Sequence, residues 1–133
     1  MVIDTSALVA ILQREPERRA FIEAIEAADV RLMSVATFVE MSIVIEARHG
    51  AEGLRDLDHF IDRAGIELVP VDAGHGQVAC SAFSRFGKGR HRAGLNYGDC
   101  FSYALAISTG EPLLFKGDDF VHTDVAIVDL SSP

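Results

Sequence analysis

The chain has 133 residues, 49% of them hydrophobic, a length that suits one domain spanning residues 1–133 with a core of its own. Twelve Lys and Arg against twenty Asp and Glu give a formal net charge of −8, which excludes a general nucleic-acid coat but leaves room for an acidic site beside a local basic patch. Apolar runs fall short of a membrane span and the N-terminus lacks the basic region and cleavage site of a signal peptide, so a soluble, intracellular protein without a membrane partner is expected.

Residues 1–3 read as a short buried strand that ends in an acid, Asp4. Thr5 and Ser6 then open a helix over 7–13, and Pro16 separates it from a second helix over 17–28. In that second helix Phe21, Ile22 and Ile25 take the core side, and Glu17, Arg18, Arg19, Glu23 and Glu26 the water side. Asp4 has two readings. It caps the first helix, or it stands at a strand edge where an α/β protein holds a cation, with the Thr5 and Ser6 hydroxyls beside it.

Residues 30–35 form the next predicted strand, and Thr37 and Glu40 match the S/T-x-x-E capping box ahead of Met41, Val44 and Ile45. Glu40 is then either a capping acid or a ligand in the first turn of a helix that ends at His49 and Gly50. Leu54, Leu57, Phe60 and Ile61 place a helix over 51–64, closed by Gly65. Its apolar residues, with those of the helix before it, are candidates for a dimer face or for core. Residues 66–71 are a third strand, and Asp72 caps a helix over 76–86.

The loop 87–94 holds Lys88, Arg90 and Arg92, three of the twelve basic residues, and is either a solvated loop or a grip on phosphates. Asn96 is the predicted N-cap of a largely buried helix, which puts Asp99 in its first turn as a capping-box acid or a ligand. Residues 112–115 form a strand, 116–120 a turn carrying Asp118 and Asp119, and 125–130 the last strand. Cys80 and Cys100 are not spaced as a zinc or redox pair and read as small, reduced core residues. The five histidines form no H-E-x-x-H arrangement, which argues against a zinc hydrolase.

Alternating strands and helices imply a three-layer α/β/α sandwich with a mostly parallel central sheet. Right-handed crossovers would bring Asp4 and Asp118 or Asp119 to one sheet edge, with Glu40 and Asp99 at helix starts beside it. Carboxylates so gathered raise one another's pKa, and a hard divalent cation removes the conflict. Oxygen-only ligation points to Mg²⁺, with Mn²⁺ as the alternative, and away from zinc. The natural chemistry is phosphodiester hydrolysis, with Asp4 and Asp99 as principal ligands, Glu40 orienting the attacking water and Asp118 or Asp119 completing the outer shell. Two other classes compete with this: a receiver-type signalling domain with Asp72 as phospho-acceptor, and a catalytically silent binding domain in which every acid is a cap.

Four segments carry a family resemblance: Val2 to Ala7 with Asp4, Glu40 in its helix, Gly94 to Cys100 with Asp99, and Leu113 to Phe120 with Asp118 and Asp119. In order and spacing they resemble the PIN-domain ribonucleases of the VapC toxin type, over essentially the whole chain. The resemblance implies a PIN α/β/α fold, Mg²⁺-dependent endoribonuclease activity on structured RNA such as tRNA or rRNA, a cytoplasmic setting, a cognate VapB antitoxin that blocks the site, and a homodimer. The first three family acids map to Asp4, Glu40 and Asp99. The fourth falls on the Lys116 to Phe120 turn, where Asp118 is preferred over Asp119 because alternate side chains at a strand end point to opposite sides.

Overall fold

Side-chain alternation along four short strands builds the architecture. The computed structural model describes residues 1–131 and contains β1 (Val2–Ile3), β2 (Leu32–Ser34), β3 (Glu67–Val69) and β4 (Leu113–Leu114), all paired parallel in the order β3-β2-β1-β4. Successive strand residues point to opposite faces. Ile3, Met33 and Leu114 therefore enter one core, and Val2, Leu32 and Leu113 the other.

The first core is covered by α1 (Thr5–Leu12), α2 (Arg18–Ala27) and α3 (Val35–Arg63), which bring Leu8, Ile11, Phe21, Ile25, Met41, Ile45 and Leu57 against the sheet. The second is covered by α4 (Ala73–Phe86) and α5 (Tyr97–Thr109) through Ala79, Ala82, Phe86, Tyr103 and Ala104. This is the expected three-layer sandwich. A parallel sheet buried on both faces needs apolar residues on both sides of its strands, and β1 and β4 are apolar throughout.

The strand order positions a crevice. The chain runs outward from β1 through β2 to β3, then returns to the far side of β1 as β4, so the winding reverses between β1 and β4. Ligand sites of open α/β sheets lie at the carboxyl ends of the strands at such a reversal. Asp4 is the first residue past β1, and its N–H donates to the Leu114 carbonyl at 3.0 Å.

Several boundaries differ from the sequence expectation. Ser34, at the end of β2, is the true N-cap of α3, its Oγ accepting from the Ala36 N–H at 3.2 Å. The capping box at Thr37 does not form, and Glu40 lies in the second turn, free of any capping duty. Residues 51–63 continue α3 beyond a kink at Gly50 (φ 64°, ψ −155°), a conformation that glycine adopts at little cost. Leu57 and Ile61 on that continuation are buried core, which removes them from any dimer face.

The predicted last strand reduces to one bridge between Leu113 and Ile127, with Leu113 N–H donating to Ala126 O at 2.9 Å and Val128 N–H to Leu113 O at 3.1 Å. Its partner β4 is two residues long and supports no longer ladder. Cys100 is buried as expected, Cys80 is exposed, and both are free thiols. Among the described residues, no helix is long and apolar enough to cross a membrane.

Arg31 ties two helix ends to the sheet. Its guanidinium donates to the carbonyls of Ala28 (3.0 Å), Ala64 (2.7 Å) and Glu26 (3.0 Å), satisfying C-terminal acceptors of α2 and α3 that have no partner within their helices. Arg31→Ala should cost about 2 kcal/mol in urea denaturation, with Arg31→Lys recovering only part, because an ammonium cannot reproduce the planar fork. A loss below about 0.5 kcal/mol would mean that water serves those carbonyls equally well.

Candidate acidic site

Asp4 is 4% exposed, and both of its carboxylate oxygens are held. Oδ2 accepts from the Ser6 N–H at 3.1 Å and from Ser6 Oγ at 2.7 Å, and Oδ1 accepts from Ser102 Oγ at 2.6 Å. It is therefore the N-cap of α1, as the first of its two readings expected, and it also stands at the edge of the crevice. Donors on both oxygens fix one orientation of a buried charge that would otherwise be costly.

Glu40 comes into the crevice from α3. The Thr5 hydroxyl donates to Glu40 Oε1 at 2.7 Å, linking the residue beside Asp4 to the second acid. The other side of the Glu40 carboxylate lies on Gly98, in the first turn of α5. A Cβ at position 98 would stand 1.9 Å from Glu40 Oε2 and 2.5 Å from its Cδ, so glycine is what lets the acid lie there.

Asp99 follows at once in α5 and forms the expected capping box. Its N–H donates to Asn96 Oδ1 at 2.9 Å, and its own Oδ2 accepts from the Asn96 N–H at 3.0 Å. Despite that bond its carboxyl is pushed up to about 7. Burial is the main cause, the Asn96 N–H pulls the other way, and the charges of Asp4, Asp119 and Glu40 add to the rise. The neighbouring Cys100 thiol donates to Asn96 O at 3.2 Å and is pushed up to about 11 by burial and by Asp99, which makes it an unreactive thiol.

Asp118 and Asp119 are both exposed on the turn after β4. Asp119 is the one whose charge raises Asp99. Lys116 holds this turn against α1: its N–H donates to Ser6 Oγ at 2.9 Å, and its ammonium pairs with Glu15 and, at 3.3 Å, with Glu17. Ser6 thus joins the Asp4 carboxylate to the turn that carries the fourth acid. As the side chains stand, no group of three or more His, Cys, Asp or Glu among the described residues is arranged to hold a metal ion.

The basic loop is tied to the same helix start. A bridge between Gly87 and Leu95 closes it, with Lys88 N–H donating to Leu95 O at 2.9 Å, immediately before the Asn96 cap. Lys88, Arg90 and Arg92 are exposed, and the Arg90 guanidinium lies over the Phe83 ring at 5.6 Å. Tyr97, between the cap and Gly98, is 79% exposed and meets the Phe101 ring edge-on at 5.0 Å. On the face of α3 that carries no core residues, Val39 and Ile43 are also exposed.

Gly98, Ser102 and Tyr97 were not legible as site residues from the sequence. With Asn96 as N-cap, Gly98 and Ser102 are simply small residues of a largely buried helix. Contact across elements far apart in the chain singles out Gly98 and Ser102, and the exposure of its ring singles out Tyr97.

The Asp99 shift has a consequence for stability without divalent cations. Unfolded, this carboxyl releases its proton near the ordinary value of 3.8, and folded it does so near 7. The folded state binds the extra proton between these values, so this contribution is fully present below about pH 4 and is lost as pH rises through about 7. Chelator-treated wild type should lose thermal midpoint relative to Asp99→Asn between about pH 5 and pH 8, and parallel profiles of the two proteins would contradict the shift.

With that geometry in view, comparison with known proteins is informative. The PIN domain family model matches residues 1–126. The chain is 58% identical to Ribonuclease VapC30 of Mycobacterium tuberculosis over 130 residues, covering 98% of this chain and 99% of that one. It is also 58% identical to Ribonuclease VapC of Mycolicibacterium smegmatis over 128 residues, covering 96% and 99%. In fold it is similar to Mycobacterium tuberculosis VapC20, described as a sarcin-ricin loop cleaving toxin, with a TM-score of 0.77, 15% identity and coverage of 96% of this chain and 97% of that one. A chain of VapBC2 from Rickettsia felis, solved bound to a promoter DNA fragment, has the same TM-score of 0.77 at 14% identity, covering 96% of each chain. Matched over nearly its whole length by relatives that share more than half of its residues, the chain belongs to the VapC ribonucleases of the PIN-domain family.

Proposed function

We propose that this chain, working as one PIN domain over residues 1–133, is a divalent-cation-dependent endoribonuclease, the toxin of a VapBC-type pair, acting on structured RNA such as tRNA or rRNA in the cytoplasm. The observation that carries this reading is the gathering of Asp4, Glu40 and Asp99 in one crevice, where burial, with the repulsion of Asp4, Asp119 and Glu40 adding to it, pushes the Asp99 carboxyl up to about 7. A capping acid gains nothing from such repulsion. A cation site accounts for it, because the ion supplies the positive charge that the cluster lacks.

The residues fit Mg²⁺ in three respects. The donors are carboxylate oxygens without Cys or His, which suits a hard ion. Gly98 leaves open the space where the Glu40 carboxylate lies. Asp4 and Asp99 are the two direct ligands in this reading, matching the habit of Mg²⁺ of taking one or two carboxylates and keeping its waters, and Mn²⁺ would serve as well. When bound, the ion polarises the phosphoryl group and eases loss of the leaving oxygen.

The chain's own residues supply the rest. Thr5 donates to Glu40 Oε1 and thereby leaves Oε2 to take the proton of the attacking water. Asp119 is the better fourth acid on electrostatic grounds, displacing the preference for Asp118 that strand alternation suggested, since its charge reaches Asp99. Lys88, Arg90 and Arg92 contact RNA phosphates, and Tyr97 offers an exposed ring on which an unpaired base can stack. The partners in this reading are RNA, a VapB-type antitoxin that covers the acids, and a second copy of the chain. A structure of the same fold is described as a toxin–antitoxin complex from Klebsiella pneumoniae, with a TM-score of 0.69.

The test is cleavage of total cellular RNA by purified, antitoxin-free protein with Mg²⁺ or Mn²⁺, then with chelator, for wild type beside Asp99→Asn. Discrete fragments should appear with the cation, and Asp99→Asn, which keeps a capping oxygen, should lower the rate by about a hundredfold or more. Cleavage that survives both the chelator and the substitution would overturn the metal reading. Gly98→Ala probes Glu40 separately. The added methyl displaces only the far end of a flexible side chain, so the thermal midpoint should hold or rise while cleavage drops about tenfold or more. Full activity in that variant would remove Glu40 from the mechanism.

A further inference from the structure

Beneath the acids lie two buried hydroxyls that the chemistry above does not use. Ser102 is 0% exposed and Thr37 1%, and their oxygens stand 3.2 Å apart. Ser102 has one proton, and it goes to Asp4 Oδ1 at 2.6 Å. Thr37 must therefore be the donor to Ser102, and the two O–H groups form a directed chain from Thr37 to Ser102 to Asp4.

The placement of this chain matters as much as its direction. Thr37 is three residues before Glu40 on α3, and Ser102 three residues after Asp99 on α5, so each hydroxyl lies one helical turn from an acid. The Thr37–Ser102 contact joins the two helices one turn below their acids, and the Ser102–Asp4 bond joins that junction to the end of β1. Three elements that each deliver one carboxylate meet at a single serine oxygen.

We propose that Thr37 and Ser102 are positioning residues of the nuclease. Their hydroxyl chain sets the orientation of the Asp4 carboxylate and the separation of the α3 and α5 turns that carry Glu40 and Asp99, so that the acids share one divalent cation. This rests on the metal-nuclease reading above. Neither residue touches RNA, so the chain acts on the geometry of the acids and leaves substrate binding alone. The sequence offers an apolar helix face at Ser102 and a capping threonine at Thr37, and neither suggests this role.

The test measures Mn²⁺ affinity by electron paramagnetic resonance of the free ion, on folded wild type, Ser102→Ala, Thr37→Val and Thr37→Ser, alongside kcat and KM for RNA cleavage. Thr37→Val keeps the shape and removes only the hydroxyl, so it serves if Ser102→Ala does not fold. Ser102→Ala and Thr37→Val should weaken Mn²⁺ binding about tenfold, the usual size of such outer-sphere effects, and lower kcat with KM for RNA unchanged. Thr37→Ser should restore wild-type affinity. Unaltered affinity in folded Ser102→Ala or Thr37→Val, or Thr37→Ser as weak as Thr37→Val, would overturn the positioning role while leaving the nuclease reading intact. Wild type that binds no Mn²⁺ would instead sink the metal reading, and this role with it.

Discussion

Mutual repulsion among carboxylates at one end of β1 is the constraint around which the rest of the molecule is arranged. Like charges in a partly desolvated crevice disfavour one another, and burial together with the charges of Asp4, Asp119 and Glu40 holds the Asp99 proton up to about 7. The fold could have avoided the conflict by spreading its acids over the surface, where most of its twenty stand. Instead the reversal of strand order between β1 and β4 brings Asp4, the α5 start and the β4 turn to one crevice. A fold that concentrates like charge at its ligand-binding edge stores unfavourable energy there, and a cation is the simplest partner to release it.

Two kinds of support keep the acids in place. Around Asp4 the support is hydrogen bonding, with Ser6 and Ser102 holding opposite oxygens and Lys116 adding its N–H to Ser6. Around Glu40 it is space: Gly98 contributes no side chain, and Thr5 orients what lies in the room that is left. Hydroxyl donors suit this task because they bind a carboxylate without neutralising it. A lysine or arginine in the same position would neutralise the acids. The ammonium of Lys116 is accordingly turned away, to Glu15 and Glu17.

The sequence carried the architecture further than the site. Apolar runs of the right length, separated by amphipathic helices, are enough to specify a parallel sheet covered on both faces, and the Asn96 and Asp72 caps read correctly because capping is local chemistry. Glu40 was misplaced by a rule of the same kind. Thr37 matches a capping box, but Ser34, three residues earlier, takes the cap because β2 ends there, and that frees the Thr37 hydroxyl for Ser102. The strand over 125–130 failed for another reason: its alternation is genuine, but a strand needs a partner of matching length, and β4 offers two residues. Gly98 and Ser102 stayed hidden because their meaning lies in pairs 58 and 98 residues apart in the chain, with Glu40 and Asp4 respectively.

The central claim is that the acids of this crevice share a divalent cation, and crystals of the antitoxin-free protein grown with Mn²⁺ test it most directly. Anomalous difference density should show an ion in contact with both Asp4 and Asp99, lost in crystals of Asp99→Asn prepared in the same way. Well-ordered crystals saturated with Mn²⁺ that show no anomalous peak at these carboxylates would contradict the account.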